Sequence, residues 1–158
     1  MIGSGAKVRA LIRYNTDCAL SYRRAAQKVR NDNFRNFLKS YSTRRMAFAD
    51  ELSQHAAKLN YPDQGVPHAA CRMMKKLLNI RDEPSEIKDK AILRACGKGE
   101  ERVRSAYDEA LSSTDLSAET KKILFRHRNY ILVARRILFA LKPIVVYQRH
   151  LSGRDSFN

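Results

Sequence analysis

A chain of 158 residues, 44% hydrophobic and 30% charged, with six glycines and four prolines, is long enough to bury one core and short for two. Its formal net charge of +15 is uneven: residues 1–60 carry +8, residues 61–120 carry −1 and residues 121–158 carry +8. Such a field disfavours cationic partners and favours nucleic acid, an anionic lipid surface or an acidic protein. Lys7, Arg9 and Arg13 interrupt any secretory leader at the start, and the longest apolar stretch, 137–147, is broken by Lys142 at about half a membrane span. A cytoplasmic protein without a transmembrane segment is expected.

Apolar residues at three- and four-residue spacing predict four long helices. The first runs from about Ser4 to Arg30, with Val8, Leu11, Asn15, Cys18, Tyr22, Ala25 and Val29 on one stripe. The polar run Asn31, Asp32, Asn33 turns it into the second, about Phe34 to Leu59, whose stripe is Phe34, Leu38, Tyr41, Arg45, Phe48, Leu52, His55 and Leu59. So short a turn makes the two antiparallel neighbours. Pro62, Gly65 and Pro67 make residues 60–68 a loop, and Ala69 to Ile80 read as a short amphipathic helix with Met73, Leu77 and Ile80 on one face.

The third long helix spans about 85–111, with Ile92, Cys96, Gly99, Val103, Ala106 and Ala110 inward. Ser117 is the expected N-cap of the fourth, about 117–142, with Glu119 in its first turn and Leu124, His127, Ile131, Ala134, Leu138 and Leu141 on its stripe. Pro143 should kink or end it. No Asp or Glu falls on these four stripes. The expected fold is all-α, a four-helix bundle over 1–142 with a long crossover between the second and third long helices. Residues 143–158 are expected to form an extension, apolar at first and then disordered.

The run Asp17, Tyr22, Ala25-Ala26, Arg45, Phe48, Glu51-Leu52, Leu59, Ala91-Ile92-Leu93, Cys96, Gly99-Glu100-Glu101, Tyr107, Ala110-Leu111 resembles a small bacterial ferritin-like family without an assigned activity. Its members are distant relatives of rubrerythrin and bacterioferritin. The resemblance covers roughly Val8 to Lys142 and is most specific from Gly99 to Tyr107. It implies a ferritin-like bundle and, in metal-binding relatives, inward Glu and Glu-x-x-His ligands. The chain departs from that pattern: Ala19, Leu20, Ala47 and Ala95 stand where acids would be expected, and Arg135 stands where a His would be. No Glu-x-x-His or Asp-x-x-His occurs in the sequence. A dinuclear carboxylate centre is therefore not expected, and no cofactor is assigned.

Glu100 is the acid left at a ligand position, and a modest rotation to the stripe Cys96, Glu100, Val103, Tyr107 would turn it inward. Arg45 and Arg135 at the same level would then place guanidinium groups where relatives hold a cation. Glu51 and His55, four apart, have the spacing of paired metal ligands but no third ligand, and His127 on an inward stripe is read as a hydrogen-bonded core histidine. Cys18, Cys71 and Cys96 form no CxxC pair, and His68 with Cys71 is too little for zinc. No Gly-rich phosphate loop and no G-x-S-x-G nucleophile elbow is present.

Arg9, Arg13, Arg23, Arg24, Lys121, Lys122, Arg126, Arg128 and Arg136 are the polyanion-binding candidates, able to contact phosphate without reading bases. Ile144, Val145, Val146 and Tyr147 are more apolar than a frayed tail and are candidates for packing back, self-association as a homodimer, or contact with a partner or membrane surface. The expected role is a non-catalytic interaction or structural module for an acidic protein or larger assembly. A metal-dependent oxidase or iron store, and a non-specific nucleic-acid binder, are the alternatives.

Overall fold

A computed structural model describes residues 3–61 and 85–152, with side chains described for 3–61 and 88–145. Four helices make up the described chain: α1 (Ser4–Lys28), α2 (Asp32–Lys58), α3 (Ser85–Leu111) and α4 (Ala118–Ser152). No strand occurs among the described residues. The expected helix over 69–80, and with it His68 and Cys71, lies outside them, as do residues 153–158.

Local chemistry sets the ends. Asn31 caps α2, its side-chain oxygen accepting from the Phe34 N–H at 2.9 Å, and Ser117 caps α4 by accepting from the Thr120 N–H at 3.1 Å. The α1–α2 corner is held from a third helix. Asp89 of α3, 3% exposed, accepts from the Arg30 and Asn31 N–H groups at 2.8 Å each, so the donors left at the turn meet a carboxylate. Asn60 ends the segment after α2 in the left-handed region, φ 53°, where Asn is better tolerated than most side chains.

Pairs of contacting residues fix the directions. Ala19 meets Ser42 and Asn15 meets Arg45, so α1 and α2 are antiparallel. Tyr22 with Glu100 and Asn15 with Tyr107 make α1 and α3 antiparallel, and Tyr107 with His127 and Glu101 with Arg135 do the same for α3 and α4. His55 with Thr120 and Phe48 with His127 close the circuit between α2 and α4. The diagonal helices α2 and α3 therefore run parallel, and α2 ends and α3 begins at opposite ends of the packing.

The core is the union of four inward stripes. Every residue of the stripes expected for the first and fourth long helices is buried, and so is the second stripe except for Leu59, which is 38% exposed in the turn after α2. The third stripe is rotated from expectation: Gly99 and Ala106 are half-buried, while Glu100 and Tyr107 have no exposed surface. Two carboxylates thus stand inside: Glu100 through the modest rotation to the stripe Cys96, Glu100, Val103, Tyr107, and Asp89 one turn before Ile92, ahead of the expected stripe. Pro143 does not end α4, which continues to Ser152. A proline costs the helix one backbone hydrogen bond, and the remaining ladder carries the helix past it.

Candidate functional site

Three side chains from two helices converge on one carboxylate at the centre of the core. Glu100 and Arg45 are both fully buried, and Arg45 Nη2 donates to the two Glu100 oxygens at 3.0 Å each. The Tyr22 hydroxyl donates to Oε1, and the Tyr41 hydroxyl donates to Oε2 at 3.2 Å. Burial, reinforced by the Glu100 charge, pushes both phenols well above their ordinary range, so they stay protonated as donors. Burial also works against the Arg45 charge, and Glu100 together with the other groups around it outweighs that effect, so the guanidinium stays charged. A buried ion pair costs less the more of its remaining donors and acceptors are met: the two tyrosines fill the remaining acceptor sites of the carboxylate, while Arg45 Nε has no hydrogen-bond partner among the described residues.

From Arg45 the hydrogen bonds run on to the surface in one sense. Arg45 Nη1 donates to Asn15 Oδ1 at 2.8 Å, and Asn15 Nδ2 donates to the Tyr107 oxygen at 2.8 Å and to the Leu11 carbonyl at 2.8 Å. With its oxygen accepting, Tyr107 donates to His127 Nδ1 at 3.1 Å, which leaves the His127 Nε2–H to donate to Glu51 Oε2 at 2.7 Å. That tautomer gives each link of the chain one donor and one acceptor. Glu51, its side chain 37% exposed, also takes a hydrogen bond from Arg126. Burial lowers the His127 pKa below the ordinary histidine value, so the ring is neutral where the chain needs it neutral. Phe48 stacks on the ring with centroids 3.9 Å apart, which fixes its plane.

This donor set does not fit the dinuclear metal centre that the family resemblance implies. The Glu100 oxygens already take four hydrogen bonds, and the groups around them, a guanidinium and two phenols, are donors with high pKa rather than anionic ligands. Among the described residues no group of three or more His, Cys, Asp and Glu side chains is arranged to hold a metal ion. Glu51 and His55 go to different partners: Glu51 to His127 and Arg126, and buried His55 through Nε2 to Thr120 at 2.7 Å.

Arg45 and Glu100 are brought together, and Arg135 is not with them. It sits on the outer side of α4, paired with Glu101 at 2.6 Å, because Glu101 follows Glu100 and faces out as Glu100 faces in. The polyanion-binding candidates divide. Arg126 pairs with Glu51 and Arg128 with Asp108, while Arg9 donates to the Tyr61 carbonyl at 2.8 Å. Arg23, Arg24, Lys122 and Arg136 are exposed, Arg13 and Lys121 half-buried. Of the tail candidates, Ile144 is 41% exposed and Val145 is buried at 7%, whereas the side chains of Val146 and Tyr147 lie outside the described ones. Sequence reasoning missed Tyr22, Tyr41 and Asn15 as partners of the ion pair. The signal was there, since a core tyrosine must find a partner for its hydroxyl.

No helix among the described residues is long and apolar enough to cross a membrane. Comparison with curated proteins and with solved structures gives no match. Residues 6–113, which take in most of α1, all of α2 and α3 and the segment between, match the family model described as Domain of unknown function (DUF2383), and the chain belongs to that family.

Proposed function

We propose that the chain is a non-catalytic interaction module, a ferritin-like helix bundle in which an arginine stands where relatives hold a cation. The observation that carries this reading is the Arg45–Glu100 pair, with its carboxylate closed off by Tyr22 and Tyr41. A positive charge fixed covalently in the core supplies the electrostatic partner that Glu100 needs, and it leaves no open coordination position for substrate or oxygen. The parallel course of α2 and α3 supports ferritin-like connectivity, in which a crossover spans the length of the bundle. Function then resides on the surface, and the basic surface selects an acidic protein or an assembly that contains one.

Affinity purification of the full chain at low salt, with and without nuclease, together with iron analysis of the product, tests the reading. A defined protein assembly that persists after nuclease, without stoichiometric iron, is the expected result. Stoichiometric iron would replace the reading with a metal-dependent oxidase or iron store. Material that vanishes with nuclease, and whose binding falls steeply with salt, would replace it with nucleic-acid binding.

A further inference from the structure

The outer face between α3 and α4 carries a groove of about 550 Å³. On α3 its lining positions run from Lys90 to Glu101 and on α4 from Arg135 to Val145. Each wall is thus about three helical turns, roughly 16 Å, long. Leu93, Leu138 and Val145 form a recessed apolar floor, 5%, 3% and 7% exposed, and Phe139 rises from the rim at 71% exposed. Lys90, Arg94, Lys98 and Lys142 line the same groove, and none of them has an ion-pair partner among the described residues. Its one acid, Glu101, is already paired with Arg104 and Arg135. At mid-length Gly97 leaves a hollow, since a Cβ placed there would meet nothing within 4 Å.

We propose that this groove is the docking site for an acidic amphipathic helix of a partner protein. The inference rests on the reading of the chain as an interaction module and names the surface and the partner chemistry. A helix of three to four turns matches the length of the walls. Its apolar side chains at i, i+3 and i+7 would fill the floor and the hollow at Gly97, and carboxylates flanking that stripe would meet the four cations. A lipid surface fits less well. Membrane-binding faces push apolar side chains outward into the acyl region, whereas this floor is recessed and accepts side chains instead of inserting them. A nucleic-acid backbone would use the cations and leave the apolar floor without a partner.

The test uses the full chain and a fluorescein-labelled 18-residue peptide with Leu at i, i+3, i+7 and i+10 and Glu on both flanks, followed by fluorescence anisotropy. A scrambled peptide of identical composition controls for charge. The native chain is expected to bind the patterned peptide at least about tenfold more tightly than the scrambled one, since only the pattern presents an apolar stripe. Arg94→Glu with Lys98→Glu should weaken it at least about tenfold, and the same charge change far from the groove, Arg23→Glu with Arg24→Glu, by less than about threefold. Gly97→Leu is the sharpest variant: it fills the hollow and should abolish binding while the melting temperature holds or rises, because Leu is a better helix former than Gly.

Equal losses for the two charge reversals, equal affinity for the scrambled peptide, or full binding by the Gly97→Leu variant would each overturn the proposal. So would vesicles containing phosphatidylserine, or a single-stranded oligonucleotide, binding more tightly than the peptide and losing that binding in the groove variants. A native assembly that survives Arg94→Glu with Lys98→Glu would sink the groove and leave the module reading standing. Stoichiometric iron would instead sink the module reading.

Discussion

His127 donates to Glu51 at 2.7 Å across the α2–α4 contact, so a histidine with no exposed surface reaches solvent through a carboxylate that is 37% exposed. Both groups have pKa values below their ordinary ones in the folded chain. Burial lowers His127; at Glu51 burial acts in the opposite direction, and the hydrogen bonds from His127 and Arg126 outweigh it. Two windows of acid instability follow.

The unfolded chain binds a proton at His127 more readily than the folded one does, so stability falls as pH drops below about 6.5 toward the lowered folded value. Glu51 acts later, its contribution present above about 4.5 and lost as pH falls below that. Urea midpoints measured between pH 7.5 and pH 4 should decline across the first window in the native chain. In a His127→Gln variant that decline should be much flatter, and an unchanged slope would remove His127 as its cause.

Cys96 is fully buried, and burial followed by the nearby Glu100 charge pushes its thiol far above the ordinary range; Cys18 is buried at 2%. Thiolate is the reactive form, so neither should be modified in the folded state. In a Cys71→Ser variant, labelling by a maleimide should proceed at the rate of unfolding and accelerate with urea as unfolding does. Rapid stoichiometric labelling without denaturant would contradict the buried placement.

Pro143 lies inside α4 at an exposed position and, having no N–H, leaves the Phe139 carbonyl without the helical donor it would otherwise accept from. Pro143→Ala restores that donor where no described side chain depends on the ring. The variant should gain about 1 kcal/mol or more in urea unfolding. No gain would mean that the helix is already broken at this point in solution.

Three of the four core stripes are legible in the sequence because their apolar residues repeat at the helical period. The stripe of α3 is legible only as an alternative: Gly99 and Ala106 fit the apolar period and yet face partly outward, while Glu100 and Tyr107 face in along the rotated stripe that the isolated acid at position 100 suggests. Polar residues that satisfy one another across helices carry no periodic signal of their own. The groove escapes for a different reason. Summed over residues 61–120 the charge is close to zero, but Lys90, Arg94 and Lys98 precede Glu101, Asp108 and Glu109 along α3, and Asp108 is taken up by Arg104 and Arg128. A segment total conceals that separation. Pro143 misleads because its local cost is weighed without the packing of Val145 on the core beyond it.

The ion pair at the centre decides between a structural and an incidental role for Glu100. Glu100→Gln keeps the volume and removes the charge, leaving the Arg45 guanidinium buried against a neutral amide, with one amide nitrogen facing the Tyr22, Tyr41 and Arg45 donors. Stranding one charge of a buried pair costs about 3–5 kcal/mol, a large share of the stability of a domain this size. Arg45→Met alone strands Glu100 instead and should cost a similar amount. The double variant strands neither charge, so it should be less destabilised than the sum of the singles by about 2 kcal/mol or more. Urea unfolding of all four proteins measures the coupling. A sum that adds within about 0.5 kcal/mol would show that the two groups do not depend on each other.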